Sequence, residues 1–191
     1  LPNHGSIKVG DTNLASINPH LWRSVTGSVM QDSFIFSDTI AHNIALDTDR
    51  LDMKRVRQAA VLANANGFIC KMPMGYYTRI GMEGSGVSQG QRQRILIARA
   101  IYKNPEYIFF DEATNALDTS NETEIMHNLA AFYYGKTVVI AAHRLSTVKN
   151  ADQILVMRQG KIVEHGTHQT LLAQKGYYYG LVKNQLELNA L

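Results

Sequence analysis

The sequence predicts an α/β chain: a parallel sheet, an inserted helical block, and a C-terminal hairpin plus helices. Three observations carry this. Strand and helix patterns alternate through the second half of the 191 residues, as layered α/β chains require. From Asp38 to Lys103 strand signals largely vanish and helical patterns take over. Tyr107–Phe110 is a continuous apolar run, the pattern of a strand buried on both faces of a parallel sheet, and Thr137–Ala142 reads as a second buried strand, rich in β-branched residues. The expected boundaries are 1–37 for the first strands, 38–104 for the helical block and 105–191 for the rest of the sheet and the C-terminal elements.

Gly5–Asp11 (GSIKVGD) alternates polar and apolar, as a half-buried strand does, and Ser28–Gln31 reads as a second short strand. Leu51–Ala65 places Val56, Ala59, Ala60 and Ala63 on one helix face. Gly67, Pro73 and Gly75 then break the pattern. Ser88 opens a strong helix with Ile95, Ala98 and Ile101 apolar, ended by Asn104-Pro105. Thr119 and Glu122 form a capping box for a helix that reaches about Tyr134 and stops at Gly135. Gln153–Met157 and Lys161–Glu164 flank a turn and predict a hairpin. Two helices follow, after Thr167 and after Gly176.

Composition excludes several classes. Hydrophobic residues are 45% and charged residues 18%, enough apolar mass for a core and too much for disorder. The longest apolar runs are about five residues, as at Val138–Ala142, too short for a transmembrane helix. Leu1–Asn18 is polar and does not read as a secretory leader. The net charge of +3 is spread over helix faces, which argues against nucleic acid as a partner. Cys70 is the only cysteine, so no disulfide forms within the chain. Leu1 rather than Met opens the sequence, which reads as a piece of something longer.

The chemistry concentrates at strand ends. Tyr107–Phe110 leads into Asp111-Glu112, and Thr137–Ala142 leads into His143. Ligands of open parallel sheets bind beyond the carboxyl ends of the strands. An acidic pair after an apolar strand is the Walker B pattern, in which the first carboxylate holds Mg²⁺ and the second deprotonates a water. Asp111 as a simple helix cap and His143 as an incidental loop residue fit the same letters equally well. Val87-Ser88-Gln89-Gly90-Gln91-Arg92-Gln93-Arg94 adds a helix start whose N–H groups suit phosphate. A plain Ser cap explains Ser88 but not Gly90 or the Gln-Arg-Gln-Arg run.

Val87–Arg94 resembles the LSGGQ-like signature of ATP-binding cassette ATPases. Other segments match that family in the expected order: Gln31 resembles the Q-loop, Asp111-Glu112 Walker B, Ala116-Leu117-Asp118 the D-loop, and His143 with Arg144–Thr147 the switch-histidine segment. Asp38–Ile44 and Thr78–Gly81 resemble segments of the exporter branch. The Gln-Gly-Gln form of the signature and Tyr177–Tyr179 resemble bacterial peptide or bacteriocin exporters. Gln89 replaces the usual first Gly. Met82 stands where exporters commonly carry Glu, so that loop's usual cross-talk with the membrane domain does not carry over.

The resemblance also requires a phosphate-cradling loop, G-x-x-x-x-G-K-S/T, near the start, and none is there. Gly135-Lys136-Thr137 is a decoy. Ala130 sits at the first Gly position, and the triplet joins a helix to a strand, the reverse of a Walker A loop. The chain therefore resembles a P-loop NTPase-like domain truncated before its Walker A.

What the resemblance implies is a head-to-tail pair of nucleotide-binding domains using ATP and Mg²⁺. Glu112 would activate water and His143 would contact the γ-phosphate. Asp111 and Gln31 would serve the metal. Ser88, Gln89, Gly90 and Gln91 would bind the nucleotide of the partner domain, and Asp118 would bridge the two. The helical block and the Gln31 loop would meet a transmembrane domain of an exporter, at the cytoplasmic face of a bacterial inner or plasma membrane, with the fragment itself soluble. Two other readings compete: a soluble cassette ATPase acting on nucleic acid or ribosomes, and a non-catalytic fragment or interaction module. Lacking a Walker A lysine, the isolated chain is expected to hydrolyse no ATP. Its uncovered sheet edge and apolar surface are expected to drive self-association, and a strictly monomeric chain by light scattering would contradict this.

Overall fold

The computed structural model describes residues 2–30, 33–46, 51–81, 86–112, 119–142 and 144–188, setting aside the side chains of 119–123, 145–146 and 186–188. The chain divides into two units, Leu1–Val139 and Ile140–Leu191.

In the first unit, Gly5–Asp11 is not one strand. It becomes a small antiparallel hairpin of β1 (Lys8–Val9) and β2 (Thr12–Asn13), because Gly10, at φ 57, turns the chain back. Helix α1 (Pro19–Val25) follows, an element the apolar pattern does not predict. Asn18 Oδ1 accepts the His20 N–H at 2.8 Å, and Pro19 needs no partner in the first turn. The helix lays Trp22 against Tyr107, with ring centroids 5.1 Å apart, and Phe109 at 6.5 Å.

Strand β3 (Thr26–Val29) starts earlier than the Ser28–Gln31 run suggested. Gly27 is required there: a Cβ would come within 2.6 Å of Pro105 Cγ. The next region is helical as expected, except for two very short antiparallel strands, β4 (Asp38–Thr39) and β5 (Arg79–Ile80). Such strands are too short to carry an alternation.

Helices α2 (Ile40–Ala45), α3 (Met53–Leu62) and α4 (Asn66–Ile69) pack with α5 (Gln89–Lys103). The buried side chains include Ile40, Ile44, Val56, Ile95 and Ile97. Each contributes about 1.5–3 kcal/mol relative to exposure. Helix α5 buries Ile95 through Ala98 in succession, so it is covered on most sides, not only on the Ile95–Ala98–Ile101 face. Asn104, at φ 51, ends it in the left-handed conformation.

Strands β3 and β6 (Tyr107–Asp111) pair in parallel, from Thr26 beside Tyr107 to Val29 beside Phe110. After α6 (Thr119–Tyr133), strand β7 (Thr137–Ala141) completes the order β3-β6-β7. The segment 137–142 reads from the sequence as a buried strand. Instead β7 alternates between exposed and half-buried residues, and Val139 is 50% exposed. An apolar run is buried on both faces only where layers cover both, and here one face of β7 stays open.

The second unit contains α7 (Leu145–Val148) and the expected hairpin, β8 (Ile154–Arg158) with β9 (Lys161–Gly166). Gln159 and Gly160 both have positive φ, 49° and 74°, the signature of a two-residue type I′ turn. Helices α8 (His168–Gln174) and α9 (Tyr177–Leu188) close this unit around Ile154, Val156, Leu171, Tyr178 and Val182. The Glu164 carboxylate accepts the N–H groups of Tyr177 and Tyr178 and so caps α9. Leu155, Met157 and Ile162 remain more than half exposed. Among the described residues, no helix is long and apolar enough to cross a membrane.

Gly27→Ala is expected to destabilise the first unit by about 1–3 kcal/mol, because neither the strand nor the Pro105 ring yields easily. The urea midpoint of unfolding, followed by Trp22 fluorescence, measures it.

Candidate functional site

Parallel pairing sends β3 and β6 out of the sheet at one edge. Val29 lies beside Phe110, so Asp111 and Glu112 stand next to the chain leaving β3 at Met30. Asp111 is exposed and Glu112 half-buried. Glu112 has φ 51, where a residue with a Cβ costs about 1–2 kcal/mol. Strain of this kind concentrates where a side chain must be aimed rather than merely packed.

The start of α5 is a complete capping box. Ser88 Oγ accepts the Gln91 N–H at 3.3 Å, and Gln91 Oε1 accepts the Ser88 N–H at 2.9 Å. The N–H groups of Gln89 and Gly90, between them, belong to the four that a helix leaves unpaired at its start. Ser88 and Gln89 are exposed, and Gly90 and Gln91 are half-buried. Ser88 is thus both a cap and an accessible hydroxyl.

The arginines of the Gln-Arg-Gln-Arg run serve the protein interior. An Arg92 guanidinium nitrogen donates to Ser33 O at 2.5 Å. Arg94 donates to Asn64 O at 2.9 Å and lies 5.0 Å from the Phe68 ring centroid. Arg99, further along the helix, donates to Phe34 O and to both the backbone and side-chain oxygens of Asn43. Burial lowers the Arg99 guanidinium to about 10, so it stays charged at neutral pH. Asn43 is fully buried. Its amide accepts the Phe36 N–H and donates to Phe36 O and Thr39 O. Sequence reading missed Arg99 and Asn43. The available signal for Asn43 was one amide in the apolar run Ile40–Ala45.

Lys136 is engaged away from any phosphate cradle. Its Nζ donates to Asn104 Oδ1 at 3.0 Å and Pro105 O at 2.8 Å, and sits 5.0 Å from the Phe132 ring centroid. In the second unit, His168 Nδ1 lies 2.8 Å from the Tyr178 hydroxyl. Gln31, Met82, Ala116, Leu117, Asp118 and His143 lie outside the described residues, as do the side chains of the Thr119–Glu122 box. Of the candidates that are described, the sheet brings Asp111 and Glu112 to the exit of β3, while Ser88–Gln91 form a separate cluster at the tip of α5.

The ABC transporter family matches residues 1–115. The chain belongs to that family. It is 48% identical over 181 residues to an ATP-dependent lipid A-core flippase of Saccharophagus degradans, covering 95% of this chain and 31% of that protein. It is 47% identical over 190 residues to the toxin RTX-III translocation ATP-binding protein of Actinobacillus pleuropneumoniae, covering 99% and 26%. The structure of a bacterial Atm1-family ABC exporter with ATP bound aligns at a TM-score of 0.91 with 40% identity, over 96% of this chain and 32% of that one. The chain therefore spans about a quarter to a third of the length of these relatives. As an ABC-type fold it is α/β with a parallel sheet, as the sequence predicted.

Lys136→Met is expected to cost about 1–2 kcal/mol of stability through its lost charged hydrogen bonds. ATP affinity of the full-length protein should be unchanged. A drop of about tenfold in affinity, worth about 1.4 kcal/mol, would instead make the 135–137 triplet a phosphate ligand.

Proposed function

We propose that this chain is the C-terminal portion of the ATP-hydrolysing nucleotide-binding domain of an exporter. The observation that carries the reading is the β3–β6 register, which sets Asp111 and Glu112 side by side at a sheet edge beside the chain leaving β3. The exposed Asp111 carboxylate is a hard oxygen donor of the type Mg²⁺ takes. When bound, Mg²⁺ supplies charge neutralisation at the transferring phosphoryl group.

In this reading Asp111 holds the metal, with Gln31 as its second protein partner. Glu112 takes the proton of the attacking water, and its fixed backbone turn keeps the carboxylate aimed. His143 contacts the terminal phosphate. Ser88, Gln89, Gly90 and Gln91 offer a hydroxyl, a side-chain amide and helix-start N–H groups to the ATP of a second copy, arranged head to tail. Asp118 lies between the two copies. Positioning and charge stabilisation account for the chemistry. The helical block and the Gln31 loop meet a transmembrane domain at the cytoplasmic membrane face. The transported cargo in this reading is a peptide; two relatives are named for a lipid A-core and for a toxin.

The isolated 191-residue chain is inactive in this reading, because it carries no Walker A sequence and Lys136 is engaged elsewhere. In the full-length protein, Glu112→Gln is expected to lower ATP turnover at least about 100-fold while ATP binding is kept. Wild-type turnover by that variant would remove Glu112 from the reaction. Steady ATP hydrolysis by the purified 191-residue chain would show that the cradle is supplied from within it.

A further inference from the structure

Arg92 and Arg99 lie about two turns apart on α5, and so on one face of it. Both reach the same stretch of backbone. Arg92 takes Ser33 O at 2.5 Å, and Arg99 takes Phe34 O at 3.0 Å. Arg99 Nε donates to Asn43 O at 2.8 Å, and its other terminal nitrogen donates to Asn43 Oδ1 at 3.1 Å. The guanidinium lies 5.3 Å from the Phe36 ring centroid. Asn43 ties the stretch from Phe36 to Thr39 together from inside.

At the other end, Met30 and Ser33 exchange two hydrogen bonds, 3.0 and 3.1 Å long. The attachment therefore runs from α5 back to the residue that follows β3, beside the Asp111–Glu112 edge. A guanidinium offers several donors in a fixed plane, and bonds from a charged donor are roughly twice as strong as neutral ones. An ammonium cannot hold Phe34 O and Asn43 with that geometry.

We propose that Arg92 and Arg99 are positioning residues for ATP hydrolysis: they pin the chain leaving β3, at Ser33 and Phe34, to the helix that begins at Ser88. This rests on the ATPase reading above. The pins keep the carboxylate edge and the tip of α5 in one fixed relation, the first serving this copy's ATP and the second that of the neighbouring copy.

In the full-length protein, Arg99→Lys and Arg92→Lys are each expected to lower kcat for ATP about tenfold with KM within about twofold. Amide exchange over 33–43 should speed up while Ile95–Ala98 stay protected. Because both pins hold one segment, the double variant should lose no more than about threefold beyond the weaker single variant. Unchanged exchange over 33–43 in both variants overturns the proposal. Faster exchange with unchanged kcat overturns it as well. A fall in kcat matched by lost protection at Ile95–Ala98 makes the arginines structural and no more. If the wild-type protein turns over no ATP, the ATPase reading fails and the positioning role falls with it; the exchange measurement still reports the pins themselves.

Discussion

Parallel pairing of β3 with β6 is the interaction on which the rest depends. Its ladder continues at the amino end, where Glu106 N donates to Val25 O at 2.9 Å, and Thr137 N in turn donates to Glu106 O at 3.0 Å where β7 joins. The Pro105 ring seated on Gly27 brings the two strands' approaches into contact, with no room for a side chain between them. Four consecutive partners then carry the register to Val29 and Phe110. Because the strands run the same way, both polar exits open on one edge. An antiparallel pair would have sent Asp111 and the chain after Val29 to opposite ends.

Helix α5 is the second organising element. A helix with Ile95 through Ala98 buried would ordinarily contribute only apolar contact. This one also carries guanidinium groups into the interior. Burying a charge is costly unless it is fully bonded. Arg92, Arg94 and Arg99, all half-buried, offset part of that cost by taking backbone carbonyls of Ser33, Asn64, Phe34 and Asn43. Irregular chain leaves carbonyls unpaired, and arginines on a neighbouring rigid helix satisfy them. The loop from Ser33 to Ser37 is thereby ordered without helix or strand of its own.

Legibility in the sequence followed the range of the interaction. The Asn104-Pro105 stop, the hairpin around Gln159-Gly160 and the Ser88 cap are decided within a few residues, and the structure agrees with each. Helix α1 was missed: its start signal is Asn18-Pro19, but Leu21, Trp22 and Val25 are too few to give a periodicity to read. The open face of β7 was not legible, because an apolar run reports what a strand is made of and not what lies over it. The Gln-Arg-Gln-Arg run looked like part of a phosphate site, yet Arg92 and Arg94 turn inward. Gly90 and the capped start of α5 keep the accessible part of that motif.

By itself the sequence determined the α/β class, the helical block, the caps and turns, and the pairing of an acidic dipeptide with an apolar strand, since these depend on neighbours along the chain. Tertiary structure alone decided that Asp111 and Glu112 face the exit of β3, that Lys136 is bonded to Asn104 and Pro105, and that Arg99 is satisfied by Phe34 and Asn43. Those outcomes join residues dozens of positions apart. A side chain's partners are set by which surfaces pack against it, and packing is a property of the folded chain.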